Sequence, residues 1–370
     1  MSSMPEKTRV AIIGSTGRGD YGHSLDVAWK EVPQAEIVAL ADDNAKGRAA
    51  AVERTGAKTS YADYREMLDK ERPAVVSICQ RWIDRHHEMI MACVERGIHV
   101  FTEKPFCRTL VEADQIVRTC EMTHTKLAIA HQTRYCPMIP VLKRLIDQGE
   151  LGTILELRAR GKEDQRGGSE DLWVLGSHLL NMMQTFAGDP ISCFATITSK
   201  DQPISRKDVV EGNEGLGPLA GDAVQAVYQF PKGVTGYFGS RRNQDGKGAR
   251  FGLQIFGSKG IVEYLTGYLP AVNFLPDPSW SPGRSGAKWV KVSSAGVGKP
   301  EPIKPTGIPS GNVAVIQDLL AAIHEDRQPL CSVYAARSTI EMIMAVFESQ
   351  RQGKPVAFPL ENRQHPLAML

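Results

Sequence analysis

The chain has almost no net charge: 44 Lys and Arg oppose 42 Asp and Glu over 370 residues, a formal +2. So weak a field does not gather nucleic acid or an anionic membrane, and neither is an expected partner. No apolar run approaches the ~18 residues that read as a membrane span. The first seven residues, Met1 to Lys7, lack a basic start followed by an apolar core, so no secretory signal is expected. The seven cysteines (Cys79, Cys93, Cys107, Cys120, Cys136, Cys193 and Cys331) contain no C-x-x-C pair, and their number is odd. Most sit among apolar neighbours, as reduced core cysteines do, which points to a reduced, cytoplasmic chain. H-E-x-x-H and G-x-S-x-G are both missing. His86 and His87 are adjacent and cannot both point at one ion from a regular helix, so no metal is expected. No internal repeat is present. What is left is ordinary globular composition, 42% hydrophobic and 23% charged, long enough for two or three domains at ~100–200 residues each.

Two periodicities divide the chain near residue 131. Before it, short continuous apolar runs alternate with helical patterns. The runs are 9–13, 36–41, 74–78, 98–101 and 126–130, and helices are expected near 45–54, 84–96 and 110–120. Strand and helix alternating this often define a doubly wound parallel sheet. After residue 131, a helix is expected over 137–148. Period-two stretches follow at 154–159, 223–230, 233–239, 251–256 and 260–265, and these predict a large, open, mainly antiparallel sheet. A single helix is expected over 170–187 and two more over 313–325 and 335–352. The Pro-, Gly- and Ser-rich segment 267–311 is long for a loop, and is either functional or packed across the sheet. The expected division is therefore 1–131 and 132–370, with room for the last helices to pack back on the first part.

Gly14-Ser15-Thr16-Gly17-Arg18-Gly19 follows the first strand directly and stands before an expected helix. Glycines there let the backbone approach a pyrophosphate at a helix N-terminus, although Thr16 holds the place of the second glycine in G-x-G-x-x-G. Asp42 ends the second strand, 28 positions after Gly14, where a carboxylate takes the adenosine ribose hydroxyls and repels a 2′-phosphate. Within Asp42-Asp43-Asn44, helix capping is the competing role. Lys104, in Thr102-Glu103-Lys104-Pro105, lies at the carboxyl end of a parallel strand, facing the crevice where such sheets bind ligands. An amine there can orient a substrate hydroxyl and share its proton. His178 shares a helical stripe with Asn181 at i+3 and Asp171 at i−7. Along a continuous helix Asp171 would stand ~10.5 Å from His178, a fit for a second hydroxyl of a sugar, unless it only caps the helix start. Lys162 to Gly168 reads as a substrate loop with both signs of charge. Arg241, Arg242 and 247–250 form a small basic patch that reads as a solvated turn.

These residues resemble the Gfo/Idh/MocA oxidoreductases, the glucose–fructose oxidoreductase and inositol dehydrogenase relatives. The resemblance runs through the glycine turn, Val38 to Asp42, Gly97 to Pro105, Arg134 to Pro137, Leu145 to Gly152, Leu175 to Asn181, Gly257 to Gly260 and Gly353 to Val356. It implies an N-terminal Rossmann domain and a C-terminal α/β domain with a large open sheet. Lys104 and His178 take the family's catalytic positions. By the same resemblance Gly14, Ser15, Thr16, Gly17, Arg18, Gly19, Asp42, Cys79, Glu103 and Lys104 would hold the cofactor. Arg134, Tyr135, Lys162, Asp171, His178 and Asn181 would line the substrate side. The chain departs from the family's G-G-x-x-x-D-x-G-x-H-x-x-D pattern at Val174 and Asn181. It also reads Cys79-Gln80-Arg81-Trp82 where T-P-N is usual.

The implied activity is hydride transfer between NAD, favoured over NADP, and a secondary alcohol of a sugar, cyclitol or related polyol. Two alternatives stand beside it. One is transient oxidation by bound NAD in a sugar elimination or hydrolysis; the other is a non-catalytic dinucleotide-sensing regulator. The expected assembly is a homodimer or homotetramer, because an open sheet needs a cover on its second face.

Overall fold

The structure, a computed structural model, describes residues 7–244, 250–304 and 309–370. The patch residue Lys247 lies outside them. The chain divides into two compact units. The first takes Met1–His131, Glu214–Leu216 and Thr306–Arg337; the second takes Gln132–Asn213, Gly217–Pro305 and Ser338–Leu370.

In the first unit, β1 (Thr8–Ile13), β2 (Ala35–Ala41), β3 (Thr59–Tyr61), β4 (Val75–Ile78), β5 (His99–Thr102) and β6 (Leu127–Ile129) form one sheet. Every pairing is parallel and the order is β3-β2-β1-β4-β5-β6. The strand order reverses between β1 and β4, so the carboxyl ends of these strands form the switch-point crevice of a doubly wound fold. Val10 to Ile13 and Val75 to Ile78 are buried throughout, which is why they read as unbroken apolar runs. Helix α1 (Ala45–Thr55) starts at Asn44, whose side chain accepts from Gly47 N at 2.9 Å, so Asn44 is the cap of the Asp-Asp-Asn trio. Helix α2 (Tyr64–Glu71) is capped by Asp63, α3 is His86–Val94, and α4 (Leu110–Thr123) is capped by Thr109. Neither β3 nor α2 stands out in the sequence. The strand has three largely exposed residues, and the helix buries only Tyr64, Met67 and Leu68.

One expectation fails here: no α-helix follows the glycine turn. Residues 20–27 run through turns with left-handed Asp20 (φ 54°) and Ser24 (φ 66°), ending in the 3-10 turn Ala28–Glu31.

The second unit begins with α5 (Ile139–Asp147), stopped by left-handed Gly149, and β7 (Ile154–Arg160). The single helix expected over 170–187 is instead two. Helix α6 (Ser169–Val174) and α7 (Gly176–Ala187) meet at Leu175, whose φ, ψ of −119°, −40° depart from helical geometry. Strands β8 (Ser192–Ser199), β9 (Gln202–Pro203), β10 (Val210–Glu211), β11 (Pro218–Leu219), β12 (Ala223–Gln229) and β13 (Thr235–Arg241) follow. Next come β14 (Gly252–Gly257), β15 (Gly260–Leu265), β16 (Val272–Leu275), the single turn α8 (Pro282–Ser285), β17 (Val290–Ser293) and β18 (Gly296–Val297). The large sheet runs β18-β17-β16-β15-β14-β7-β13-β12-β8-β19, with β9 beside β8 and β19 spanning Val356–Ala357. Its pairings are antiparallel except β7 with β13.

Helix α9 (Pro309–His324) lies in the first unit, against β6 and the Ala28–Glu31 turn. Helix α10 (Val333–Gln352) covers the inner face of the large sheet, where Tyr228 Oη donates to Met342 O at 3.0 Å. The outer face stays open over its centre and carries Phe194, Tyr237, Gln225, Arg158 and Arg160. At one end, Trp280 lies edge-on to Phe256 with ring centroids 5.0 Å apart, so part of the long Gly/Pro segment does pack across the sheet.

Candidate active site

The cofactor side forms in the first unit at the carboxyl ends of β1, β2 and β4. A cavity of about 240 Å³ is lined by Gly14, Ser15, Asp42, Asp43, Tyr64 and Met89, among others. Its wall has acceptors for a ribose and an aromatic and thioether surface for a purine. It therefore fits the adenosine half of a dinucleotide.

The glycine turn is built differently from the sequence expectation. Its amides are largely spent inward. Gly14 N donates to Ala41 O (2.9 Å), Ser15 N to Asp20 O (3.1 Å) and Thr16 N to Asp42 Oδ2 (3.1 Å). Gly17 N donates to Asp20 Oδ1 (2.9 Å), and Arg18 N and Asp20 N both donate to Ser15 O. With no α-helix behind it, the turn brings no helix-dipole charge to a phosphate. The cation it does carry is Arg18, whose guanidinium sits 4.9 Å from the Trp82 ring and pairs with Asp84. Gly19, at φ 86°, is required: a Cβ there would press on the Arg81 and Trp82 backbone. Of the other cofactor residues expected, Cys79 points inward, its Sγ 3.5 Å from Ser77 Oγ. Only its backbone faces the turn.

Glu103 and Lys104 follow β5. Glu103 is fully buried; one carboxylate oxygen accepts from His23 N (2.8 Å) and Nδ1 (2.6 Å), the other from Lys104 N (2.9 Å). Burial pushes this carboxyl up, but the His23 hydrogen bond and charge, with Lys104 beside it, outweigh that and hold it down to about 2. Asn312 Nδ2 of α9 donates to His23 O at 2.8 Å. His86, buried in α3, has Nδ1 2.8 Å from Pro105 O and Nε2 2.7 Å from Gln80 O. It ties the turn bearing Lys104 to the loop after β4. Tyr21, His23 and His86 escape the sequence reading: the first two lie in a stretch expected to be helix, and His86 reads only as half of an adjacent pair.

The folded value of Glu103 lies below its ordinary one, so its contribution to stability is complete above pH 4.5 and is lost as pH falls toward 2. Unfolding of Glu103→Gln followed across pH 5 to 2 should show a shallower loss of stability than the parent. Parallel profiles would remove Glu103 from that role.

The second unit carries the residues expected on the substrate side. His178 is half-buried on α7. Asn181 is buried, and its Nδ2 lies 3.3 Å from Thr339 Oγ1. Arg134 and Tyr135 are half-buried in the 3-10 turn Gln132–Tyr135, which Tyr264 Oη pins by donating to Thr133 O at 2.6 Å. Lys162 is half-exposed, 3.5 Å from Asp164. Asp164 is held by Arg166, which keeps its carboxyl down to about 2, so the two signs of charge in this loop largely pair with each other.

Asp171 must be corrected. The break at Leu175 takes it off the His178 stripe, and its carboxylate is fully buried. It accepts from Ser240 Oγ, Glu163 N (3.0 Å) and Lys162 N (3.3 Å). Burial, partly offset by these bonds, raises its pKa. Asp171 thus anchors the 162–168 loop and does not face a ligand. Glu163, left-handed at φ 61° and fully buried, adds a second anchor through Arg160 Nη2 (2.8 Å) and Arg241 N (2.9 Å).

Residues 8–131 match the model of the oxidoreductase family with the NAD-binding Rossmann fold, and residues 143–358 match the C-terminal alpha/beta domain of the same family. The chain belongs to the Gfo/Idh/MocA oxidoreductase family. It is 24% identical over 284 residues to levoglucosan dehydrogenase of Pseudarthrobacter phenanthrenivorans, covering 68% of this chain and 73% of that one. It is 25% identical over 253 residues to myo-inositol 2-dehydrogenase of Thermotoga maritima, covering 68% and 74%. In structure it resembles levoglucosan dehydrogenase in complex with NADH and levoglucosan, with a TM-score of 0.77 and 20% identity over 96% of this chain and all of that one. That likeness shows the shared fold.

Proposed function

We propose that this chain is an NAD-dependent dehydrogenase or reductase acting on a secondary alcohol of a sugar, cyclitol or related polyol. The observation that carries the reading is Lys104, placed at the carboxyl end of β5 beside a buried Glu103 carboxylate, in a chain whose two halves both match the family. Gly14 to Gly19, with the wall from Asp42 to Met89, would hold the dinucleotide. Bound NAD supplies the acceptor for a hydride. Lys104 orients the reacting hydroxyl by charge and hydrogen bond, and His178 receives or returns its proton. Arg134, Tyr135, Lys162 and Asn181 bind the remaining hydroxyls.

The open outer face of the large sheet, with Phe194 and Tyr237 about 40% exposed beside a cavity of about 650 Å³, supports assembly as a homodimer or homotetramer through residues 132–370. Light scattering at micromolar concentration should report at least a dimer, and a monomer would refute this. Seven free, buried cysteines support a reducing, cytoplasmic setting. Among the described residues no helix is long and apolar enough to cross a membrane.

The deciding experiment follows absorbance at the reduced-nicotinamide band with NAD and a panel of sugars, cyclitols and sugar acids. Stoichiometric accumulation of NADH with one of them is expected. Product formation without NADH would point to transient redox, and binding without turnover would point to a sensor.

A further inference from the structure

In a doubly wound dinucleotide site, the acid ending the second strand meets the adenosine ribose. Here that acid, Asp42, is already engaged. Its Oδ2 accepts from Thr16 N (3.1 Å), Thr16 Oγ1 (2.6 Å) and Tyr21 Oη (2.8 Å). Its Oδ1 accepts from Asn44 N (2.9 Å). A carboxylate offers about four lone-pair sites, so Oδ2 is saturated and Oδ1 has room for one more donor. Asp42 is only 2% exposed.

The surroundings are cut to this arrangement. A Cβ on Gly47 in α1 would collide with Thr16, and a Cβ on Gly14 would collide with the Tyr21 ring. Arg54 lies 4.7 Å from that ring and pairs with buried Asp26. Burial, followed by the bond to Asp42, drives the Tyr21 hydroxyl far above its usual pKa, so it remains a donor. Thr16 therefore replaces the second glycine of the fingerprint with a side chain that clasps the end of β2 to the turn.

The next residue, Asp43, is exposed and lines the same cavity. Its carboxylate makes no hydrogen bond or ion pair among the described residues. Arg48 donates to the Asp42 carbonyl at 2.6 Å, and the two arginines that line the cavity, Arg65 and Arg85, both pair with Glu88.

We infer that Asp43, and not Asp42, is the carboxylate that reads the 2′-hydroxyl of the adenosine ribose and sets NAD against NADP, while Asp42 is the clasp that shapes the turn. The inference rests on the NAD-dependent reading above. A free carboxylate facing the ribose accepts from a hydroxyl and repels a phosphate, whereas a buried one that already takes four protein donors, with one acceptor site left on Oδ1, discriminates less.

The test titrates NAD and NADP against the intrinsic fluorescence of the full-length protein, with melting temperatures measured in parallel. Asp43→Asn should weaken NAD about tenfold, as loss of a charge-assisted hydrogen bond does, with NADP unchanged or tighter and the melting temperature held. Asp42→Asn should lower the melting temperature, because an amide cannot accept all the donors now on the carboxylate. Should that variant not fold, Tyr21→Phe removes one donor and keeps the ring. It should lower the melting temperature and leave the NAD:NADP ratio as in the parent. Parental binding of both nucleotides by Asp43→Asn overturns the inference, as does a changed ratio in Tyr21→Phe. A parent that binds neither nucleotide overturns the NAD-dependent reading itself.

Discussion

Lys104→Met lowers turnover by about a thousand-fold, within the range that general acid–base groups contribute, while affinity for NAD stays within about twofold. Methionine keeps much of the apolar stem and removes the ammonium. Lys104 is only 5% exposed, so its stem is packed and a smaller residue would leave a void as well as remove a charge. The backbone amide of Lys104 still donates to Glu103, so the turn persists in the variant. The separation of effects is the point. A residue that only shapes the turn would weaken NAD and turnover together, whereas one acting on the substrate hydroxyl spares the cofactor. Single-turnover rates and NAD titration on the same sample measure both. A variant that retains the parental rate would remove Lys104 from the chemistry.

Asp171→Asn costs about 3 kcal/mol of stability, the scale of unsatisfied buried donors. The carboxylate takes bonds from two backbone amides and the Ser240 hydroxyl. An asparagine amide turns an N–H₂ toward one or more of these donors. The loop 162–168 then loses its tie, so the apparent melting temperature falls and KM for substrate rises as a consequence of the looser loop. Ser240→Ala removes one of these donors but also the acceptor of Gly168 N at 3.0 Å, so it should lower the melting temperature as well. An unchanged melting temperature in Asp171→Asn would show that its buried bonds contribute little.

The contrast between Asp171 and Lys104 shows what could be read from residue order. Runs buried on both faces, such as Val10 to Ile13, announce themselves because every side chain is apolar. Alternation along β12 does the same for a sheet with one open face. The left-handed glycines at 97 and 149 mark helix ends reliably, since few other residues take that geometry at no cost. The position of Lys104 was legible because it lies two residues beyond a strand whose direction is fixed by the parallel sheet. Asp171 was not, because its assignment rested on seven residues of unbroken helix, and Gly176 alone among the residues between them hints at the break at Leu175. The missing helix after β1 has a similar origin. Gly19, Gly22 and left-handed Asp20 and Ser24 favour turns, but the stretch from Leu25 to Trp29 is apolar enough to pass for a helix. Tyr21 was hidden for a further reason: its partner Asp42 lies on a different strand, and only tertiary structure pairs them.

The first unit is discontinuous in the chain, and this bears on the order of its assembly. The segment through His131 supplies all six parallel strands, yet Ile129 N bonds to Cys331 O and the His23 carbonyl is held by Asn312. Both partners leave the ribosome only after most of the second unit has been synthesised. A nascent chain released at His131 would have an unpaired edge at β6 and a glycine turn without its outer support. The cavity residues from Gly14 to Met89 are thus all made early, whereas the edge of β6 and the hold on His23 are completed only late.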